Sequence, residues 1–268
     1  MSQVGNLMRS LILLAIGTVA FAADPPVINP GGIVNTAGSP SIAAIAPGGL
    51  VSIFGSNLAA TMTLSDSVPL SATLGGVKVS INGVASPIQF ASPNQINVQV
   101  PWTVQLSASA GDGQVIVTNA GTASATASVT VAASAPAIYN IGGQAIAVNA
   151  DGSLAAPANS IPGFTTRPAK IGDTAGLVIF ATGLGAVDTP PIDGANSVDQ
   201  QRNTLAKPIV LIGGVAAEVT FSGLSPQFVG INQLNVTVAA GTPTGNAISL
   251  QIQVGSTSSN LATVAIGQ

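Results

Sequence analysis

The sequence predicts an all-β protein built from two tandem β-sandwiches, and three observations carry that prediction. First, the stretch Asn94-Gln95-Ile96-Asn97-Val98-Gln99-Val100 is written again as Asn232-Gln233-Leu234-Asn235-Val236-Thr237-Val238. In both copies the aliphatic residues fall on alternate positions, the period of a strand with one buried face. Second, other matched pairs keep the same order around these copies: Val51-Ser52-Ile53-Phe54 with Leu177-Val178-Ile179-Phe180, and Val79-Ser80-Ile81-Asn82-Gly83 with Val210-Leu211-Ile212-Gly213-Gly214. A fold-sized repeat of this kind signals duplication, with the growth confined to loops. Third, 31 glycines and 18 prolines accompany only 6% charged residues, which suits many short strands joined by tight turns.

Taken in order, Met1 to Ala22 reads as a secretory signal peptide. Arg9 gives the positive start, Leu11 to Ile16 the apolar run and Ala20-Phe21-Ala22 the small-residue cleavage site. That apolar run is shorter than the roughly 20 residues needed to cross a bilayer, and no later segment of the mature chain can span one. Domain 1 is assigned to residues 23–135. It holds a lead-in strand near Pro26-Val27-Ile28, then strands at Leu50 to Phe54, Val77 to Ile81, Ile88 to Phe90, Asn94 to Val100, Gln114 to Thr118 and Ala127 to Ala132. Gly55-Ser56-Asn57 is a turn, Ala59 to Ala72 a polar loop, and Asn82-Gly83 a hairpin signal. Ala133-Ser134-Ala135-Pro136 is too short a junction to act as a free tether.

Domain 2 is assigned to residues 136–268. It opens with a strand over Tyr139 to Val148 and the turn Asn149 to Ser153, and a Pro-containing loop covers Ala156 to Gly172. Strands follow at Gly176 to Ala181, Ile209 to Ile212, Glu218 to Phe221, Leu234 to Val238, Ile248 to Val254 and Ala262 to Ile266. Between the first two of these strands lies the longest polar insert, Gly185 to Asn203. Phe54 with Phe180, and Phe90 with Phe221, recur at matched positions and read as core.

The run Ile45-Ala46-Pro47-Gly48-Gly49-Leu50-Val51-Ser52-Ile53-Phe54-Gly55-Ser56-Asn57-Leu58, continued by Val79 to Val84 and closed by Ile96 to Pro101, resembles an IPT/TIG-type immunoglobulin-like domain. More closely, the mature chain resembles the uncharacterised C-terminal domain family abundant in secreted acidobacterial (Solibacter-type) proteins. Both halves carry the likeness. The second departs from the pattern with Gly183 where Asn57 stands and a longer loop before its last motif. The resemblance implies immunoglobulin-like sandwiches outside the cytoplasm and transfers no catalytic residue.

Composition narrows the function classes. The chain has no cysteine, which removes disulfides and thiolate chemistry, and no histidine, the commonest proton shuttle near neutrality. Lys78, Lys170 and Lys207 stand in no catalytic motif, and Glu218 falls on the solvent parity of its strand. The expectation is a protein that is not an enzyme. Six basic residues are scattered against nine acidic ones, so no positive surface invites nucleic acid.

The binding candidates are few. Trp102, the sole tryptophan, and Tyr139, the sole tyrosine, offer rings for a sugar, although a large aromatic more often plugs a domain end or an interface. Asp188, Asp193 and Asp199 crowd the long insert, where carboxylates hold calcium or keep a loop in water. The spacing fits no known calcium loop. Asn149 and Asp151, with Asp193, are weaker calcium candidates, since Asp151-Gly152 also makes an ordinary hairpin turn. The sequon at Asn235 lies within a central strand. No cofactor is called for beyond calcium. The exposed strand faces carry Ser, Thr, Asn and Gln in place of charges. The function expected is a secreted or cell-surface structural, adhesive or recognition module, partnered by an extracellular protein, a polysaccharide or itself. A carbohydrate-binding module and a calcium-stabilised surface protein are the alternatives.

Overall fold

A computed structural model describes residues 24–37 and 44–268. The signal-peptide segment Met1 to Ala22 lies outside the described residues. Every regular element among them is a strand. The main strands of the first half are β1 (Val27–Asn35), β2 (Leu50–Ser56), β3 (Val77–Ile81), β4 (Ile88–Ala91), β5 (Gln95–Gln99), β6 (Gly113–Asn119) and β7 (Ala127–Val131). In the second half they are β8 (Ala147–Asn149), β9 (Leu177–Thr182), β10 (Ile209–Ile212), β11 (Val215–Leu224), β12 (Asn232–Thr237), β13 (Gly245–Val254) and β14 (Ala262–Gly267).

In the first half one sheet runs β1-β2-β5-β4 and the other β7-β6-β3, each extended by two-residue strands. Their inner faces enclose a core built from Val51, Ile53, Val79, Ile81, Ile96, Val98, Val115 and Val117. The second half encloses a separate core from Leu177, Ile179, Val210, Ile212, Leu234, Val236, Leu250 and Ile252. With no disulfide, these aliphatic layers carry the stability. Truncating Ile53 or Leu234 to Ala should cost about 2–5 kcal/mol.

The duplication extends to register. Val51 faces Val98 and Ile53 faces Ile96 across β2 and β5. Leu177 faces Val236 and Ile179 faces Leu234 across β9 and β12. A β-bulge recurs as well, between Ile88 and Phe90 against β5 and between Val219 and Phe221 against β12. The hairpin turns match: Asn82 and Gly83 have φ of 49° and 78°, Gly213 and Gly214 60° and 80°. That double left-handed pair is the turn that suits strand twist in a two-residue hairpin.

The halves differ at one corner. In the first, Pro87, which has no N–H for a ladder, separates the short strand Val84–Ala85 from β4. In the second, β11 runs unbroken through the matching position, pairing with β10 at one end and β12 at the other. Its two layers are therefore hydrogen-bonded into a single 14-stranded sheet.

Several expectations are corrected. The strand expected over Tyr139 to Val148 is broken into short pieces, Ala137–Ile138, Asn140–Ile141, Gln144–Ala145 and β8, and the polar loop after β2 contains the strand Thr63–Leu64. The phenylalanines are not core. Phe54 is 38% exposed, and Phe90, Phe180 and Phe221 are only half-buried. In a strand whose Ile53 or Ile179 points inward, the next residue must point out. For Phe90 and Phe221 the cause is the bulge. Its extra residue reverses the alternation that Ile88 and Val219 begin.

Candidate recognition surfaces

The aromatic and acidic residues singled out above go to different places, and the junction between the halves takes three of them. The linker is pinned first. Ala135 donates its N–H to the Gly183 carbonyl at 2.8 Å and accepts from Asn35 Nδ2 at 2.9 Å. Tyr139, just beyond, places its hydroxyl 2.7 Å from Thr36 Oγ1. Burial pushes the Tyr139 phenol up to about 12, against smaller opposing contributions from hydrogen bonds to Thr36 and Thr182.

The long insert supplies the rest of the junction. Asp193 accepts the Trp102 backbone N–H through Oδ1 at 2.8 Å. Gly194 donates to Gln99 Oε1 at 2.6 Å and accepts the Leu70 N–H at 2.8 Å. Gly194 has φ +83°, and a Cβ there would lie 2.5 Å from the Leu70 carbonyl oxygen, so only glycine lets the two backbones approach. The Trp102 ring packs on Gly48, its Nε1–H buried without a partner among the described residues. The insert between β9 and β10 thus adds a second grip on the first half to the one made by Tyr139.

The remaining candidates are held locally. Asp199 forms a two-pronged pair with Arg202, at 2.6 and 2.9 Å. The Arg202 guanidinium holds the Asp199 carboxyl down at about 2. Arg202 is itself buried, donating also to the Thr189 carbonyl at 2.7 Å and Ser197 Oγ at 2.9 Å, so it is the peg around which the insert folds. Asp188 accepts from the side chain and backbone of Asn203, which lower its pKa. Asp151 closes its own turn through Ser153 and pairs with Arg167 Nε at 2.6 Å, and these partners lower its pKa, Arg167 foremost. Asn149 is buried against Ser153 and the Arg167 carbonyl. Asp188, Asp193 and Asp199 do not converge, and among the described residues no three acidic side chains gather as a metal site.

Sequence reasoning passed over Arg202, Thr182, Gln99 and Gly194. One signal was available for the first: a lone arginine inside an otherwise uncharged or acidic insert.

Grooves mark the surface of the described residues, and three of them bear on recognition. One, of 600 Å³, runs between β1 and the start of β7. Another, of 390 Å³, lies where Val68 and Pro69 meet Pro190, Pro191 and Ile192 across the junction. The third, of 320 Å³, has the outer face of β11 and β12 as its floor and the Ser197–Gln201 segment as its wall.

With the sandwich and its register in place, the family comparison agrees with the first half. Residues 35–132 match the IPT/TIG domain. This IPT/TIG segment begins in β1 and closes after β7, so it takes in the first core. No curated protein matches the chain. Among solved structures, it is similar to a surface glycan-binding protein of Prevotella bryantii, at 12% identity and a TM-score of 0.28, covering 90% of this chain and 42% of that one. Domains 5–6 of the S-layer protein SbsC align at 11% identity and a TM-score of 0.28, covering 90% of this chain and 98% of that one. The I9–I11 tandem of titin aligns at 11% identity and 0.22, covering 90% and 65%. The chain spans under half the length of the first of these structures. No helix among the described residues is long and apolar enough to cross a membrane.

Proposed function

We propose that the chain is a non-catalytic structural and recognition module that works outside the cytoplasm, with two immunoglobulin-like domains held as one stiff body. One observation carries this reading: the junction is hydrogen-bonded and glycine-packed rather than tethered. Leu50 donates its N–H to Thr182 Oγ1 at 2.9 Å, and Thr182 donates in turn to the Gly230 carbonyl at 2.8 Å. Gly49 and Gly183 lie backbone to backbone, so no side chain separates the halves there. A fixed relative orientation is useless to a flexible linker and valuable to a spacer or a binding surface. The neutral outer faces and the secretory pattern of Met1 to Ala22 point to the same setting.

The test is fractionation of producing cells, followed by sedimentation of the purified, labelled chain with their envelope. The native protein should be found outside the cytoplasm and the purified chain in the envelope pellet. Cytoplasmic residence, or a monodisperse chain that stays in the supernatant, would count against it.

A further inference from the structure

We infer that the outer face of β11 and β12 is a binding site for a neutral polysaccharide, and that the matching face of β4 and β5 is a second, shallower copy of it. The inference rests on the reading of the chain as an extracellular recognition module and names its ligand class.

The observation is a constellation repeated in register. In the second half Phe180 stands opposite Gln233 and Phe221 opposite Asn235. In the first, Phe54 stands opposite Gln95 and Phe90 opposite Asn97. In both, the glutamine amide donates to the asparagine two residues on, Gln233 Nε2 to Asn235 Oδ1 at 2.9 Å and Gln95 Nε2 to Asn97 Oδ1 at 2.8 Å. Core packing does not explain this, because all eight side chains lie on the outer face. The internal amide bond fixes both side chains. It leaves Gln233 Oε1 as an acceptor and Asn235 Nδ2 as a donor, neither partnered among the described residues, with phenylalanine rings beside them.

The chemistry selects the ligand. The groove above this face is lined by Ser197, Val198, Gln200, Gln201, Leu224 and Pro226 together with Phe221, Gln233 and Asn235, and none of them is ionisable. The nearest guanidinium, Arg202, is committed to Asp199, Thr189 and Ser197. An anionic or cationic ligand would therefore find no counter-charge. β12 lies between β9 and β11 with its backbone bonds consumed, so an extended peptide cannot add as a strand here. Only side-chain amides and ring faces are on offer. They match a pyranose, whose C–H face lies on an aromatic ring while hydroxyls meet an alternating donor and acceptor. The tip of the Phe221 ring lies over Gly223, an approach a Cβ would block at 2.6 Å, so the ring is laid along the sheet. At 320 Å³ the groove suits a short sugar segment. Two like sites on one stiff body favour a repeating chain over a single sugar. In the first half Ser52 Oγ also donates to Asn97 Oδ1 at 2.8 Å, and Ser197–Gln201, the wall of the groove over β11 and β12, belongs to the second half, which makes the first copy the shallower.

Affinity electrophoresis of the full chain in gels containing a β-glucan, a xylan or a galactomannan tests this, with alginate and heparin as charged controls. At least one neutral polymer should retard the chain and neither charged one should. Phe221→Ala should weaken retardation about tenfold. Gln201→Ala, an exposed change on the wall that leaves folding intact, should weaken it several-fold. Phe54→Ala should weaken binding of the polymer and leave that of a short oligosaccharide unchanged. Retardation by no neutral polymer, equal retardation by alginate, or unchanged binding in Gln201→Ala and folded Phe221→Ala would overturn the proposal. So would a self-association that Phe221→Ala abolishes. Envelope sedimentation that persists without polysaccharide binding would sink this inference alone and leave the module reading standing.

Discussion

Thr182 Oγ1, at the end of β9 in the second half, accepts the Leu50 N–H at the start of β2 in the first, at 2.9 Å. Both residues are fully buried, and the same hydroxyl passes its own proton to the Gly230 carbonyl. One side chain therefore satisfies a donor in one half and an acceptor in the other. Thr182→Val keeps the shape and leaves both backbone groups buried and unpaired. The cost should be about 2–4 kcal/mol. Thr182→Ser, which keeps the hydroxyl, should lose about 1 kcal/mol. Urea denaturation checks this: the wild-type chain should unfold in one transition, and Thr182→Val should separate the two halves into two.

The glycine beside that contact gives a second prediction. Gly48 has φ +76°, and a Cβ there would lie 2.1–2.4 Å from the Trp102 ring. Gly48→Ala combines left-handed strain with overpacking and should destabilise the junction by at least about 2 kcal/mol. Trp102 is the only tryptophan, so its fluorescence reports on the junction without labelling. The expected result is a red-shifted emission maximum at native secondary structure. An unchanged spectrum would mean that the ring does not seal on Gly48.

These junction contacts mark where the sequence stops being legible. The repeat could be read because aliphatic residues alternating with amides leave a period-2 signature, and Val51, Ile53, Ile96 and Val98 keep it through register and core. The junction has no such signature. It is made by a threonine hydroxyl, by Gln99, and by the backbones of Gly48, Gly183, Gly194 and Gly230, residues that elsewhere mark ordinary turns. The phenylalanines escape the residue pattern for a related reason. Phe90 and Phe221 have core parity by simple alternation, and only a bulge, invisible in the residue pattern, turns them outward. The acids of the insert suggested a cluster by proximity in sequence. In space each takes the nearest donor, Asn203 for Asp188, Trp102 for Asp193 and Arg202 for Asp199.

Those local partners set the acid limb of stability. Asp112, Asp151, Asp188 and Asp199 all have lowered pKa values, the last at about 2, held there chiefly by Arg202. A carboxylate whose folded pKa is depressed contributes stability above its unfolded value, near 3.8, and loses that contribution as pH falls toward its folded one. With no histidine to titrate, the melting temperature should be nearly flat across mildly acidic and neutral buffer and should fall between about pH 4 and 2. Asp199 is 61% exposed, so water and salt screen the pair and its own share is small. Asp199→Asn should therefore flatten the acid limb only slightly, a difference that calorimetry across that range measures. A steep change between pH 5 and 7 would contradict the assignment.

The alkaline limb belongs to one residue. Tyr139 is the only tyrosine, its phenol is pushed up to about 12 by burial, and its hydroxyl lies 2.7 Å from Thr36 across the junction. A folded pKa raised above the unfolded value of 10.0 means that the stabilisation is complete below pH 10 and is lost as pH climbs toward 12. Ionisation would place a phenolate in a desolvated site, so the junction should open as the proton leaves. Tyrosinate absorbance follows this one group directly. Its native midpoint should lie near 12 and fall to the ordinary value in denaturant, while Trp102 fluorescence shifts in step with the native transition. Tyr139→Phe should remove the alkaline limb and leave the acid one intact. A native midpoint near 10 would show the hydroxyl to be in water, and the halves to be less tightly closed than the Thr36 contact requires.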